Sequence, residues 1–464
     1  MAQGSVRVAR ASLLAALMLA GCASYAPQPL AGADIDAVLN SPDRAALVRQ
    51  AAALPQKMTL DFKRPLDGDA LAAIAVLANP ELRALRVQQR VADAQLFAAG
   101  LLPDPQLSLG FDRVLAPRSE GLVTGYAGGL TLDLLGAYAV RGVARRVQRA
   151  AGEQVRLDIA WQEWSTAGQA RLLAERLPRQ QAVSGLARTA ADVADRALSR
   201  ALTAAARGDI KADEVETRRI AAADANGRAL KAEREAGVTR LDLNALLGLR
   251  PDEPLTLAAP APLPAWAAPD PEQLFVIARA TRLDLQAFAK GYDSAEASLH
   301  RAVLGQYPRL AITLNRLRDT SAVHTFGPAI TLDLPLWNRN RGEIAKAGAE
   351  RERLKSEYAA RLFRTRADIA ALVAALNRDE GARAGLAAQL PELAAIAAHF
   401  EDAARRGDVS TPLAEAARAS EIDKQLEWLA LDQSCAEQRL ALRLALGEPL
   451  ALTPEAAAGT QPAP

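Results

Sequence analysis

Two stretches decide the fold: GYAGGLTLDL at Gly125–Leu134 and HTFGPAITLDL at His324–Leu334. Both end on TLDL, at Thr131–Leu134 and Thr331–Leu334, and a long alanine-rich, charged run follows each. Working outward, other landmarks recur. DPQLSL (Asp104–Leu109) is matched by YPRLAI (Tyr307–Ile312), ARGDI (Ala206–Ile210) by RRGDV (Arg405–Val409), and ALLGL (Ala245–Leu249) by LALGE (Leu444–Glu448). The spacing from Asp133 to Gly208 is 75 residues and from Asp333 to Gly407 it is 74; Gly208 to Gly248 and Gly407 to Gly447 are both 40. Two halves with one internal metric are a tandem duplication, far longer in period than a solenoid repeat.

Each half reads as helix, strand, loop, strand, long helix, turn, helix. In the first half these are Leu71–Leu101, a strand PQLSLGFDR, a Gly/Pro/Ser loop, a strand YAGGLTLDLL, Ala137–Ala206 and Lys211–Leu247. In the second they are Pro271–Leu304, Pro308–Leu317, Phe326–Leu334, Arg341–Arg406 and Pro412–Leu446. Val143, Val147, Ala151 and Val155 recur in steps of four, and Leu354, Tyr358, Leu362, Ile369, Val373 and Leu376 line one helical face. Pro178 and Pro391 are expected to kink rather than end the long helices, because the apolar pattern resumes after each. Gly208 and Gly407, after Arg207 and Arg406, suit the left-handed position that closes a helix. Asp209 reads as a start signal for the next helix, and Thr411 before Pro412 as a cap followed by a first-turn proline. Capping explains each residue of RGD without an adhesion role.

Length then bears on shape. A helix of ~70 residues reaches roughly 100 Å, and two shorter helices stacked end to end could run alongside it. The strands have the length needed to cross a bilayer at a tilt. Leu107, Leu109 and Phe111 alternate with polar residues, as do Leu130, Leu132 and Leu134, Leu310, Ile312 and Leu314, and Ile330, Leu332 and Leu334. Lipid on one side and water on the other demands this pattern; an ordinary half-buried sheet shows it too. Four strands cannot close a barrel around a lumen, so the membrane reading requires several chains.

The 464 residues include 50% hydrophobic but only 4% aromatic side chains, which points to long, closely packed helices rather than a thick globular core. A net charge of +2 gives no basis for nucleic-acid binding. The three histidines, His300, His324 and His399, lie far apart and form no zinc or hydrolase constellation. GYAGG lacks the Lys-Ser/Thr of a phosphate loop. No cofactor and no enzymatic activity are expected. Trp337 is read equally as an interface anchor or as packing at the end of the second strand pair.

The amino terminus has a basic start (Arg7, Arg10), a short apolar stretch at 11–20, and Leu19-Ala20-Gly21-Cys22, which resembles a bacterial lipobox. The resemblance implies a signal peptide at 1–21 and lipidation of Cys22, with Ala23 rather than aspartate next, as for sorting to the outer membrane. Cys435 is then the one remaining cysteine, and no intrachain disulfide is expected.

From about Leu71 to Leu450 the chain resembles the TolC-type outer-membrane factors, the outer membrane efflux proteins. Its most specific stretch, LDLPLWNRNRGEIA at Leu332–Ala345, is most similar to the CzcC-like heavy-metal branch. The resemblance implies a mainly α fold with a small β part. In that fold a homotrimer contributes four strands per chain to a 12-stranded outer-membrane barrel, which a long periplasmic α-helical barrel continues. It also implies an exit duct for a tripartite RND-type efflux system, with a periplasmic adaptor (membrane fusion protein) and an inner-membrane pump as partners. TLDL then marks the passage from barrel to tunnel, with Asp133 and Asp333 facing the lumen. The family's gate positions fall on Asp213 and Glu214, with Glu216 just beyond; in the second half they fall on Leu413 and Ala416 with Glu415 between, a departure from the family's aspartates. Acids in a first helical turn also simply suit the helix dipole. Adaptor contact is expected at the tips, around Arg207, Gly208 and Asp209 and around Arg406, Gly407 and Asp408. The expected organisation is a signal at 1–21, an N-terminal periplasmic linker at 22–70, repeats at 71–250 and 271–450 joined by a linker at 251–270, and a disordered tail at 451–464. A drug, solvent or type I protein-secretion duct of the same fold, and a pore-less periplasmic coiled-coil scaffold, remain the alternatives.

Overall fold

A computed structural model describes residues 25–447 apart from residues 31, 33–34, 36–37, 55–57, 114 and 116–122. Cys22, the signal segment and the 451–464 tail lie outside the described residues. Among the described residues, those up to Ser41 form one unit, in which Tyr25, Leu30 and Leu39 are exposed; those from Pro42 form a second, described below.

The elements follow the duplicated order. They are α1 (Arg44–Ala52), α2 (Gly68–Ala78), α3 (Pro80–Ala98), β1 (Gln106–Asp112), β2 (Gly125–Leu132), α4 (Leu134–Ala206) and α5 (Ala212–Leu246). The second half gives α6 (Pro271–Thr281), α7 (Leu283–Leu304), β3 (Arg309–Arg318), β4 (His324–Asp333), α8 (Arg341–Arg406) and α9 (Thr411–Leu446). Helix α4 has 73 residues and α8 has 66, and both run unbroken through Pro178 and Pro391. At 1.5 Å per residue each is about 100 Å long.

Three local readings are corrected. The single helices expected over Leu71–Leu101 and Pro271–Leu304 are each two. Asn79 is extended (φ −55°, ψ 124°) because the ring of Pro80 excludes it from the helical region, and Arg282 takes the same conformation without a proline. Asp209 does not start a helix: Lys211 precedes α5, with no side-chain cap. Thr411 lies inside α9, and Ser410 stands at its cap position.

The two breaks do one job. Asn79 Nδ2 donates to the Leu246 carbonyl at 2.9 Å, sealing the end of α5, while its Oδ1 accepts from the Leu82 amide and starts α3. Arg282 Nη1 donates to the Ala445 carbonyl at 3.0 Å and seals the end of α9. So α5 ends where α3 begins, and α9 ends where α7 begins. Helix α4 packs against α3 and α5 of its own half and against α7 and α9 of the other, with α8 against α7 and α9; near the tips α9 also reaches α5, Arg228 pairing with Asp423 at 3.5 Å. Among the described residues, the outer flanks of this layer meet no further long helix.

Its packing is fine-grained. Residues Ala222, Ala225, Ala229, Ala232, Thr239 and Leu243 of α5 are buried. Their steps of three, four and seven keep one seam facing α4, the pattern of a left-handed coiled coil. Two larger cores occupy equivalent places at the helix breaks. One gathers Leu71, Ile74, Leu177, Leu243 and Leu247, and the other Ala278, Ile369, Val373, Leu376, Leu442 and Leu446. The stretches read as linkers join the first core: Leu47 and Ala51 of α1 are buried in it, and Leu66 pairs with Leu257 through the Leu66 amide to Thr256 (2.9 Å) and the Ala258 amide to Leu66 (2.9 Å).

Candidate functional site: the sheet and the helical tips

The four strands form one antiparallel sheet in the order β1-β2-β3-β4, so the central pairing of β2 with β3 joins the two halves. Residues directly opposite in an antiparallel pair share a face. Leu107 faces Leu130, which faces Leu314; Leu132 faces Ile312, which faces Ile330; Leu310 faces Leu332; Phe111 faces Tyr126. Every alternating apolar residue of the four strands therefore falls on one face. That face is bare: Leu109 is 79% exposed, Phe111 82% and Phe326 75%. Leaving such side chains in water forfeits about 1.5–3 kcal/mol each, and contiguous exposure on this scale marks an interaction surface.

The other face carries small and polar residues along most of its length, with Leu317 opposite Ala127 near the loop end. Thr131 Oγ1 and Thr313 Oγ1 lie 3.0 Å apart across the central pair, and Ser108 Oγ donates to the Gly129 carbonyl at 3.2 Å. A Cβ at Gly129 would sit 2.7 Å from Ser108 Oγ and 2.9 Å from Asn315 Oδ1, so a larger residue there requires those two side chains to move. Both edge strands, β1 and β4, lack an outer partner among the described residues. No helix among these residues is long and apolar enough to cross a membrane.

The two TLDL copies part company here. β2 stops at Leu132 and α4 starts at Leu134, so Asp133 stands at the helix cap position without capping it; its Oδ1 is buried with no hydrogen-bond partner among the described residues. Asp133, Arg141 and Arg301 line one groove of about 440 Å³. Asp333, by contrast, is the last residue of β4, opposite Arg309. The chain then runs through Leu334, Leu336 and Trp337 before α8, and Trp337 is 93% exposed among the described residues.

At the far end of the helices the two tips are built alike. Gly208 (φ +82°) and Gly407 (φ +81°) take the left-handed conformation. The amides of Asp209 and Asp408 reach back to the carbonyls of Ala204 (3.0 Å) and Ala403 (2.9 Å), while those of Gly208 and Gly407 reach Ala205 and Ala404. Each is a Schellman closure that satisfies the last carbonyls of a long helix. Arg207, Gly208 and Asp209 are exposed, and Arg406 pairs with Asp408 at 2.8 Å.

The acidic residues near the tips separate. Asp213 and Glu214 are exposed in the first turn of α5, Asp213 Oδ1 accepting from the Glu214 amide at 3.0 Å, and Glu216 pairs with Arg219 at 3.3 Å. Glu415 turns inward instead. It lies between Arg200 of α4 (2.9 Å) and Arg218 of α5 (3.9 Å), beside a groove lined by Ala194, Ala197, Ala221 and Ala225. It thus ties the hairpin of the second half to that of the first. Sequence reasoning missed both arginines, because nothing local says which helices become neighbours. His300, His324 and His399 remain apart, and no group of three metal-ligating side chains occurs among the described residues. Burial pushes the Cys435 thiol up to about 11, so it behaves as a buried apolar group.

No protein-family model and no curated protein matches the chain. Solved structures do. The outer-membrane channel OprN superimposes with a TM-score of 0.67 at 17% identity, covering 92% of this chain and 98% of that one. The CmeC outer membrane channel of Campylobacter jejuni gives 0.67 at 14% identity, with 92% and 94% covered. CusC, whose structures concern transmembrane channel formation, gives 0.65 at 15% identity, with 84% and 95% covered. The mostly helical fold with a small antiparallel sheet is the fold of these outer-membrane channels.

Proposed function

We propose that the chain is one protomer of a homotrimeric outer-membrane channel, the passive exit duct of a tripartite efflux system, carrying heavy-metal cations. The observation that carries this reading is the sheet: four strands, two open edges, one bare apolar face and one small polar face. In a bilayer every backbone group needs a partner, so an open edge is tolerated only when another chain completes a closed barrel. Three copies supply twelve strands, an even number within the range of such barrels. The polar face with Thr131, Thr313 and Asp333 then lines water, and the helical layer, with its unoccupied flanks, closes into a tunnel by the same copies.

In this reading Cys22 carries the lipid anchor, and a periplasmic adaptor meets the tips at Arg207, Gly208, Asp209, Arg406, Gly407 and Asp408, with an inner-membrane pump supplying energy. Asp213, Glu214 and Glu216 ring the aperture with carboxylates that attract cations. Glu415, clamped by Arg200 and Arg218, holds the two hairpins together below it. Asp133 and Asp333 mark the entrance to the barrel. The metal cargo rests on the resemblance of Leu332–Ala345; a duct that only conducts needs no ligand cluster of its own.

The test is growth of a deletion strain on two panels, one of zinc, cadmium, cobalt, nickel, copper and silver, the other of dyes, detergents and antibiotics. Sensitivity confined to metals and restored by the intact gene is the expected result. Sensitivity confined to organic compounds would overturn the cargo and promote the drug and solvent reading.

A further inference from the structure

The apolar face of the sheet changes character at its loop end. Along β3 the residues on that face run Leu310, Ile312, Leu314, then Arg316 and Arg318. The register sets Arg316 between Gly128 and Phe326, and Arg318 between Tyr126 and His324. Two guanidinium groups and an imidazole thus lie among Phe111, Tyr126 and Phe326, on the side that the channel reading gives to lipid. Arg318 confirms the side: its guanidinium lies 5.3 Å from the centre of the Tyr126 ring and donates to the Tyr126 hydroxyl at 2.6 Å.

The two guanidinium groups have no carboxylate to neutralise them among the described residues, and Arg318 Nε has no hydrogen-bond partner there. Asp319, next in sequence, commits its Oδ1 to the amides of Ser321 (2.8 Å) and Val323 (2.9 Å). Asp112 alternates to the other face. Opposite Arg316, Gly128 leaves a notch, with Leu109 Cδ2 3.8 Å from where a Cβ would be. The helical end of the same face carries Leu107, Leu132, Leu310 and Leu332, so the charge is confined to one rim.

We propose that this rim binds the phosphate of an anionic acyl lipid in the leaflet nearest the strand-connecting loops. Resting on the outer-membrane channel reading, it gives that surface a ligand. Arg316 and Arg318 take the phosphate, and the notch at Gly128, bordered by Leu109 and Leu314, takes the start of an acyl chain. An arginine flanking a lipid-facing band reaches to head-group level, where an anionic head group stabilises it and the aromatic rings beside it hold it in place.

The experiment uses the full chain reconstituted in nanodiscs of mixed phosphatidic acid and phosphatidylcholine, with retained lipid counted by native mass spectrometry. The intact protein is expected to enrich phosphatidic acid at least about tenfold over phosphatidylcholine, and the double substitution Arg316→Gln, Arg318→Gln to abolish the preference. Equal retention of the two lipids, or a preference that survives the double substitution, would overturn the proposal. So would release of the lipid by millimolar inorganic phosphate, which would make this a free-phosphate site. A chain that never enters the bilayer defeats the channel reading itself; one that inserts without lipid preference defeats only this site.

Discussion

Single residues fix where the helices stop. Gly248 and Gly447 both have φ of +66°, and each abuts the helix break of its own half. A Cβ on Gly248 would lie 2.7 Å from the carbonyl oxygen of Ala78, a backbone atom with nowhere to go. Gly248→Ala therefore combines left-handed strain with a steric clash and is expected to cost about 2–4 kcal/mol in denaturant unfolding. Gly227 sits inside α5 with open space around its Cβ position, so Gly227→Ala should stabilise by about 0.5–1 kcal/mol. Equal effects of the two substitutions would refute this account of the joints. The glycines at the tips were legible as helix-enders, since each follows a long helical pattern; those at the joints were legible only as landmarks of the repeat. The partner of Gly248 was not: Ala78 is 170 residues away, and no local pattern announces the meeting.

At the scale of elements, the break between α6 and α7 is held by a buried ion cluster. Asp284 accepts from Arg282 (3.0 and 2.8 Å) and from Arg361 of α8 (3.0 and 2.7 Å), while Arg282 lies 4.7 Å from the centre of the Trp161 ring of α4. Burial acts to raise the Asp284 carboxyl, but hydrogen bonds and charge from Arg282 and Arg361 outweigh it and hold the group below the usual carboxylate range. A lowered native value means that the contribution is present at pH above the unfolded value and disappears as pH falls through the native one. Asp284→Asn should thus cost roughly 3–5 kcal/mol at pH 7. That difference from the intact chain should persist to about pH 5 and shrink below about pH 4, read from unfolding midpoints. A difference independent of pH would contradict it. Helix, strand and turn types were legible because their periods differ. The break at Asn79 had a visible cause in Pro80, yet the apolar pattern on either side masked it; the break at Arg282 has no proline, and its contact with Ala445 spans 163 residues, which no local pattern announces. Glu415 shows the same limit: its sequence position suggests an aperture, and its orientation is decided by Arg200 and Arg218 on other helices.

For the whole molecule, the duplication explains why one sheet and one helical layer suffice. The two halves meet through β2 and β3 and through α4 against α7 and α9, which leaves equivalent surfaces open at both ends of the protomer. Heterologous surfaces of this kind close into a ring where the rotation between copies closes, which is what the proposed trimer requires. The four strands and their alternating faces were legible in the sequence. Their order was not, because the pairing of β2 with β3 joins segments far apart in sequence, Tyr126 meeting Arg318 across 192 residues. Single-channel recording of the purified full chain in planar bilayers tests the central claim directly. The account predicts discrete, long-lived current steps with cation preference, as a barrel closed by three copies and lined by Asp333 requires. Protein that adds to the bilayer and never passes current would contradict it, and would leave a helical scaffold without a pore.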